Sequence, residues 1–371
     1  MEGIVTEFLV PELVEDKELI PIAEKVLSGE RLSFEDGVKL FETDDLLTLG
    51  RLADFVNRKK NGHLVYFVVN RHINLTNICV GSCKFCAFRR RRGDAGSYEL
   101  TIDEVLRKIE SFKGVSEVHI VSGLHPDWKY DYYITLLKEI KKNFPNVHIQ
   151  AFTAEEIDYL SRISGKSVKD VFHDLIEAGL GSLPGGGAEI FNEELRKELC
   201  PEKLSSAKYL EIHRIAHGFG LKTNASILYG HIESYKDRID HLLRLRELQD
   251  ETGGFQAFIS FAYHPENTEL GGNLTTGFDD LKMLAVARLI LDNFSHIRAF
   301  WIMLGEKLAQ VSLHFGVDDL DGTVVEESIT HSAGANTGSF LPKERLIKLI
   351  KEAGKVPVER DTVYNVLKVY D

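Results

Sequence analysis

The sequence predicts an α/β fold: a closed (β/α)8 TIM-like barrel with an N-terminal helical extension. Three observations predict it. From near residue 72, extended segments alternate with amphipathic ones in about eight repeats, each roughly 30–40 residues long. Helix starts are marked by capping boxes, Thr101 with Glu104 and Thr153 with Glu156, in which hydroxyl and carboxylate satisfy free backbone donors. Polar or glycine-rich clusters then follow the extended segments, where barrels carry their functional loops. Strict alternation implies a parallel sheet with right-handed crossovers, and an open doubly wound sheet is the alternative.

Residues 1–70 read as the helical extension, with apolar stripes at 19–27 and 46–56. Residues 71–330 read as the barrel, opening on an extended segment at 72–77. Ile102, Val105, Leu106, Ile109 and Phe112 share one helix face, which Gly114 ends. Strands are expected at 115–121, 147–152, 221–228, 255–263, 296–304 and, short, 322–325. Helices are expected at 168–179, 192–219, 237–249, 279–292 and 306–315, and a helix carrying Tyr133, Leu137, Ile140 and Phe144 lies between the first two strands. Residues 331–371 read as a C-terminal extension packing on the barrel.

Composition narrows the function. The 371 residues carry a net charge of −12, so the surface as a whole repels nucleic acid and anionic membrane. Met1-Glu2-Gly3-Ile4-Val5 has no basic region or long apolar core, so no signal peptide is expected. No apolar run approaches the roughly 20 residues that span a bilayer. Four cysteines, three of them clustered, fit a reducing cytoplasm. Cys200 stands alone before Pro201 and is assigned no role. Arg89-Arg90-Arg91-Arg92 interrupts the acidic surface; a solvated charge run, a nucleic-acid patch and a device for anions or loop ordering are all open for it.

The densest chemistry is at Cys79, Cys83 and Cys86, spaced C-x3-C-x2-C. Soft thiolates this close on a loop can wrap one metal centre. Structural zinc takes four protein ligands, and no nearby cysteine supplies a fourth. A [4Fe-4S] cluster held by three thiolates keeps one iron open. Spacing alone leaves a zinc site or a reactive cysteine cluster open, and with it a zinc-stabilised binding module.

This spacing, with the aromatic Phe85 before the last cysteine, resembles the signature of radical S-adenosylmethionine (SAM) enzymes. The resemblance implies three irons on Cys79, Cys83 and Cys86, with the open iron chelating the methionine part of SAM. It implies SAM contacts from the backbone around Phe85, from Ser122 and Gly123 after the second barrel strand, and from Ser226, Leu228 and Glu233 in a stretch similar to the family's G-x-I-x-G-x-x-E motif. Ser226 departs from that motif's first glycine and Leu228 from its isoleucine. Glu189, after Gly185-Gly186-Gly187, is a candidate acceptor for ribose hydroxyls or a carboxylate near a helix N-terminus.

Pro184 to Ile190, Gln249 to Gln256, Phe261 to Thr268 and Pro357 to Thr362 together resemble the aminofutalosine synthases of the futalosine route to menaquinone. Related families are the cyclic dehypoxanthine futalosine synthases and the radical SAM subunits of deazaflavin (FO) synthase. The resemblance implies that SAM's adenosyl part is joined to 3-[(1-carboxyvinyl)oxy]benzoate, an aromatic dicarboxylate enol ether. It also implies a reducing donor such as flavodoxin or ferredoxin, and no nucleic-acid or membrane partner. Two carboxylates require donors or cations, and the ring requires an apolar wall. His125, His264, Glu266 and Asn267 are the candidate catalytic residues, with His231 as a further polar group. Tyr263, Phe300 and Trp301 are candidate walls.

Overall fold

A computed structural model describes residues 14–371. The Met1–Val5 stretch expected not to be a signal peptide lies outside the described residues. Among the described residues three helices come first, α1 (Leu19–Ser28), α2 (Phe34–Glu42) and α3 (Leu46–Asn61). Ser33 and Asp36 form a capping box that starts α2. Gly50 lets α3 come close to the barrel, because a Cβ there would lie 2.5 Å from the Phe315 ring.

Then the sheet begins, earlier than expected. Leu64–Val68 is strand β1, not the end of a helical segment. After a one-residue break at Val69 the chain continues as β2 (Asn70–Ile73). The barrel strands follow: β3 (Glu117–Ile120), β4 (His148–Ala151), β5 (Ser182–Leu183), β6 (Lys222–Tyr229), β7 (Phe255–Ala262), β8 (His296–Arg298) and β9 (Asp319–Gly322). Neighbours from β2 to β9 pair in chain order, all parallel.

The strand formed by β1 and β2 closes the ring. Its first half pairs with β9. Its second half bridges Val325 through Arg71, and the His72 N–H donates to the Val325 carbonyl at 3.1 Å. Between strands run α4 (Ile102–Glu110), α5 (Tyr130–Asn143), α6 (Ala154–Ser164), α7 (Val168–Ala178), α8 (Glu193–Leu199), α9 (Ser206–Gly218), α10 (Tyr235–Thr252), α11 (Gly277–Ile290), α12 (Trp301–Leu304) and α13 (Glu306–Ser312). Alternate strand residues such as Val118, Ile120, Ile149 and Ile227 are fully buried in the core.

Three boundaries differ from expectation. The helical region at 192–219 is two helices, broken after Cys200 where Pro201 cannot continue an α-helix. The strand expected at 296–304 ends at Arg298, and Trp301 starts a helical turn. A short apolar run does not distinguish strand from buried helix, and here the buried Trp301 indole donates to the Gly322 carbonyl at 2.8 Å. The last barrel strand is Asp319–Gly322 rather than 322–325; its aspartates are buried against arginines, so it carries no apolar signal.

The C-terminal chain adds α14 (Ile329–Ser332), α15 (Lys343–Glu352), β10 (Val356–Arg360) and β11 (Val366–Val369). β10 lies parallel to β1, and β11 returns antiparallel. Tyr364, between them, plugs the N-terminal end of the barrel. Its ring stacks on His296 at 3.7 Å, beneath the Arg360 guanidinium at 4.2 Å.

Arg288 and Asp318 tie the helical layer to β9. Both side chains are fully buried; Asp318 accepts from Arg288 at 2.6 Å and from the Ile297 N–H at 2.8 Å. Removing one member of such a pair leaves an uncompensated buried charge, which costs about 3–5 kcal/mol. Arg288→Met is therefore expected to lower the unfolding free energy in urea by about that amount, with the midpoint falling in proportion, and an unchanged midpoint would show the pair to be dispensable.

Candidate active site

A cavity of about 560 Å³ sits at the C-terminal ends of the barrel strands. Cys79, Cys83 and Cys86 line it, on the loop that leaves β2. Backbone bonds hold that loop against the next strand's end: Gly123 N–H to the Thr76 carbonyl at 2.9 Å, and Val80 N–H to the Leu124 carbonyl at 2.9 Å. The Cys79 sulfur accepts from two backbone amides, Gly81 at 3.4 Å and Leu124 at 3.3 Å. Burial pushes the Cys83 and Cys86 thiols up.

This donor set fits an iron–sulfur cluster. Its thiols share one cavity, and one already receives the amide hydrogen bonds that stabilise a cluster-bound thiolate. Among the described residues no three His, Cys, Asp or Glu side chains are gathered as a cage for a single ion.

Ser122 and Gly123 line the cavity beside Cys79. Gly123 has no room for a side chain, since a Cβ would lie 2.6 Å from the Ile78 carbonyl oxygen. The Ser122 hydroxyl accepts from the Leu75 N–H at 2.8 Å, and its own N–H donates to Glu156 at 3.1 Å. Glu156 also closes the Thr153 capping box, and burial pushes its carboxyl up to about 7. The strand ends that carry the cysteines, Ser122-Gly123 and α6 are thus cross-tied by side chain and backbone.

Opposite them, Glu189 is held at φ 48°, and its carboxylate pairs with Lys203. The Lys203 ammonium lies 5.4 Å from the Phe85 ring centre, a cation–π contact. Burial pulls Lys203 down, but the carboxylate fields of Glu189 and Glu155 outweigh it and hold the ammonium well above its ordinary value. Phe85, Glu189, Lys203 and Cys200 all line the cavity. Sequence reasoning missed Lys203 and left Cys200 without a place.

The waist of the cavity is apolar, made by Leu228, Ile259, Phe261, Phe300 and Met303. Tyr263 and His264 stand at its edge; Trp301 does not line it. The His264 Nδ1–H donates to the Ala262 carbonyl at 3.0 Å, which fixes the ring and leaves Nε2 as its remaining polar atom. Deeper in, His72 and His119 stack at 4.4 Å. Burial pulls both down, and His72 Nε2 has no partner. Beside them Arg298 pairs with Asp321 at 3.0 Å, and burial pushes that carboxyl up to about 6. None of these four carries a sequence signal beyond its place near a strand end.

Several expected residues lie outside the cavity lining. His125 turns away from it: Nε2–H donates to Glu99 at 2.5 Å, Nδ1 accepts from the Asp127 and Trp128 amides at 3.1 Å each, and the ring stacks on Trp128. Ser226 donates to the Gly185 carbonyl at 2.6 Å. Glu233 accepts from the Gly230 and His231 amides and from Arg238, which makes it the brace of its own loop. His231 is buried behind Leu228, whose carbonyl it meets at 3.1 Å. Asn267 donates to the Ser332 carbonyl at 3.0 Å, and Glu266 packs against Gly334. These two join the β7 loop to the C-terminal end of α14 and the turn after it.

A parallel barrel with three thiols and an apolar waist at its open end defines an enzyme of the radical SAM class. Residues 73–245 match the radical SAM superfamily, and residues 252–371 match the CofH/MqnC C-terminal region. The chain is 49% identical to the aminodeoxyfutalosine synthase of Thermus thermophilus, over 96% of this chain and 98% of that protein. It is 46% identical to the aminodeoxyfutalosine synthase of Streptomyces coelicolor, over 94% of each. Among solved structures, methylornithine synthase superposes with a TM-score of 0.74 at 18% identity, covering 90% of this chain and 96% of that one, a likeness of fold. The chain belongs to the radical SAM superfamily, in the branch that holds the aminodeoxyfutalosine synthases. The superfamily match sets aside the zinc-stabilised module. No described helix is long and apolar enough to cross a membrane.

Proposed function

We propose that this enzyme joins the adenosyl part of SAM to 3-[(1-carboxyvinyl)oxy]benzoate. The bond from SAM's sulfur to the adenosyl carbon breaks and that carbon bonds to the enol-ether CH2; the aryl group moves from oxygen to the adjacent carbon, the freed oxygen becomes a ketone, and one carboxylate leaves as CO2 or, with water, bicarbonate, returning the electron that split SAM. The products are 6-amino-6-deoxyfutalosine and methionine. What carries the reading is the near full-length likeness to the aminodeoxyfutalosine synthases. The cavity agrees with it, with thiols at one end, an apolar waist for an arene and a buried cation, Arg298, beyond it.

Cys79, Cys83 and Cys86 would hold the [4Fe-4S] cluster, which when bound supplies the electron that splits SAM. The protein's own groups bind and orient. Ser122-Gly123 brings backbone within reach of the SAM amino group, while Glu189 with Lys203, Phe85 and Leu228 shape the nucleoside wall. Phe261 and Phe300 exclude water from the arene, and proximity then does most of the work. A doubly protonated His264 would donate from Nε2–H to a substrate carboxylate while Nδ1–H stays on the Ala262 carbonyl.

Anaerobic reconstitution with SAM, dithionite and the enol ether tests the reading by product mass. Methionine release with no adenosyl–arene adduct would overturn it, and the mass of another product would identify a related reaction. His264→Ala is expected to lower adduct formation about 10–100-fold, the worth of a hydrogen bond to a charged group, with iron content unchanged. Full turnover in that variant would remove His264 from the site.

A further inference from the structure

The deep end of the cavity is lined by His119 on β3, His72 on β2, Asp321 on β9 and Arg298 on β8. These strands are consecutive around the ring. His72, Arg298 and Asp321 are buried. Strand register sets their depth. Arg298 lies opposite Ile259, the lowest of the β7 residues in the cavity wall, while Phe261 and Tyr263 stand higher, toward the open end. Arg298 also lies opposite Asp319, which does not line the cavity; Asp321, two residues nearer the open end, does.

One wall here is aromatic. The rings of His119 and His72 stack at 4.4 Å, and those of His72 and Phe300 lie parallel at 6.1 Å. Burial pulls both histidines down, so neither brings a charge near neutral pH. The charge comes from Arg298. Its Nη1 donates to Asp321 at 3.0 Å and its Nη2 to the Tyr364 hydroxyl at 3.2 Å. A guanidinium carries two N–H groups on each terminal nitrogen, so each keeps one for a ligand. Asp319 is shared with Arg360, at 2.7 Å. Asp321 is held differently. Burial pushes its carboxyl up to about 6 against the field of Arg298, and Asp319, Glu117 and Arg360 also act on it. Such a carboxyl takes a proton when a second carboxylate approaches, and then donates to it.

The geometry of the substrate selects which of its carboxylates arrives. The enol-ether CH2 must face the thiol end, where SAM's adenosyl carbon is delivered. One carboxylate sits on the carbon next to that CH2 and stays at the same end. The other is on the arene, on the far side of the ether oxygen. With the ring in the apolar waist, it emerges at Arg298. We propose that Arg298 and Asp321 receive the carboxylate on the arene and so set a preference for ring-carboxylated aryl enol ethers. The inference rests on the proposed reaction for the identity of the substrate. No covalent bond between heavy atoms changes at this subsite; one proton passes from solvent to Asp321 as the carboxylate binds.

Binding is read without reductant, so that no turnover is needed. The enol ether, and its phenyl analogue lacking the ring carboxylate, are each dialysed to equilibrium against the reconstituted protein with SAM. The parent should bind the carboxylated molecule about 30-fold or more tightly, the worth of a charge-assisted pair. Arg298→Met should lose most of that preference and keep its Kd for the phenyl analogue within about threefold of the parent, with iron content unchanged. Between pH 6 and 8 the parent's Kd for the carboxylated molecule should weaken about tenfold or more, because the proton must be supplied from an ever more alkaline solvent. The Asp321→Asn amide donates without a proton, so its Kd should stay nearly flat. Equal binding of the two molecules by the parent overturns the proposal, and that comparison needs no variant to fold. An equal loss for both molecules in Arg298→Met, the mark of a structural role alone, also overturns it, as does a parent-like pH slope in Asp321→Asn. Product mass after adding dithionite tests the reaction separately. Preference without adduct leaves the subsite standing and sinks the proposed reaction; adduct without preference does the reverse.

Discussion

Gly123→Ala is expected to yield a folded barrel that retains little or no iron. The added Cβ would lie 2.6 Å from the Ile78 carbonyl oxygen and 3.1 Å from Cys79 Cβ. Neither neighbour is the loose end of a flexible side chain. One is backbone, and the other is the root of Cys79, a proposed cluster ligand. Forcing a methyl into such a place costs about 1–3 kcal/mol, and here the strain has one outlet. The 122–124 turn and the cysteine loop must part, which breaks the Gly123–Thr76 and Val80–Leu124 backbone bonds and the Leu124 amide bond to the Cys79 sulfur. The core beneath is untouched, since Ile73 and Ile120 sit below the contact and stay packed against helices. Circular dichroism should show the parent's secondary structure, while iron analysis after anaerobic reconstitution should fall several-fold or more. Parent-level iron in the variant would mean that the two loops are not held as one unit.

That contact also separates what the sequence tells from what it hides. The cysteine spacing and the Ser122-Gly123 turn are both visible as motifs, and the structure adds why they belong together. Barrel alternation was legible because the helix-facing residues of the strands are apolar and the helices carry capping boxes. β9 lacks an apolar signal because its inward residues Asp319 and Asp321 are charged, balanced by Arg298 on the neighbouring β8 and, for Asp319, by Arg360 on β10. β1 is hidden in the sequence because Leu64–Val68 is a short continuous apolar run with no period of its own. Position after a strand put His125 among the candidates. What decides its role is the direction of its ring, which Glu99 and Trp128 set. Lys203 was invisible for the complementary reason. It lies in the turn between α8 and α9, and only folding brings it onto Glu189 and the Phe85 face.

Lys203 supplies the other large effect. Its ammonium and the Glu189 carboxylate are both mostly buried, with 18% and 12% of their side chains exposed. Lys203→Met leaves Glu189 as an anion in the cavity wall with no counter-charge, and breaking a buried pair in this way costs about 3–5 kcal/mol. Glu189→Gln alone strands the lysine instead. The double variant Glu189→Gln/Lys203→Met removes both charges, and replacing a whole buried pair by neutral groups is often close to neutral. Urea unfolding should therefore show two destabilised single variants and a double variant near the parent, a coupling that an unrelated pair of sites would not give. SAM binding, followed by equilibrium dialysis on the reconstituted protein, should separate from stability. It should be weak in all three variants, the well-folded double included, because each loses one or both charged groups of the proposed nucleoside wall. Strong SAM binding by the double variant would assign the pair to holding the wall upright and nothing more. Additive losses of stability would show that the two charges do not depend on one another.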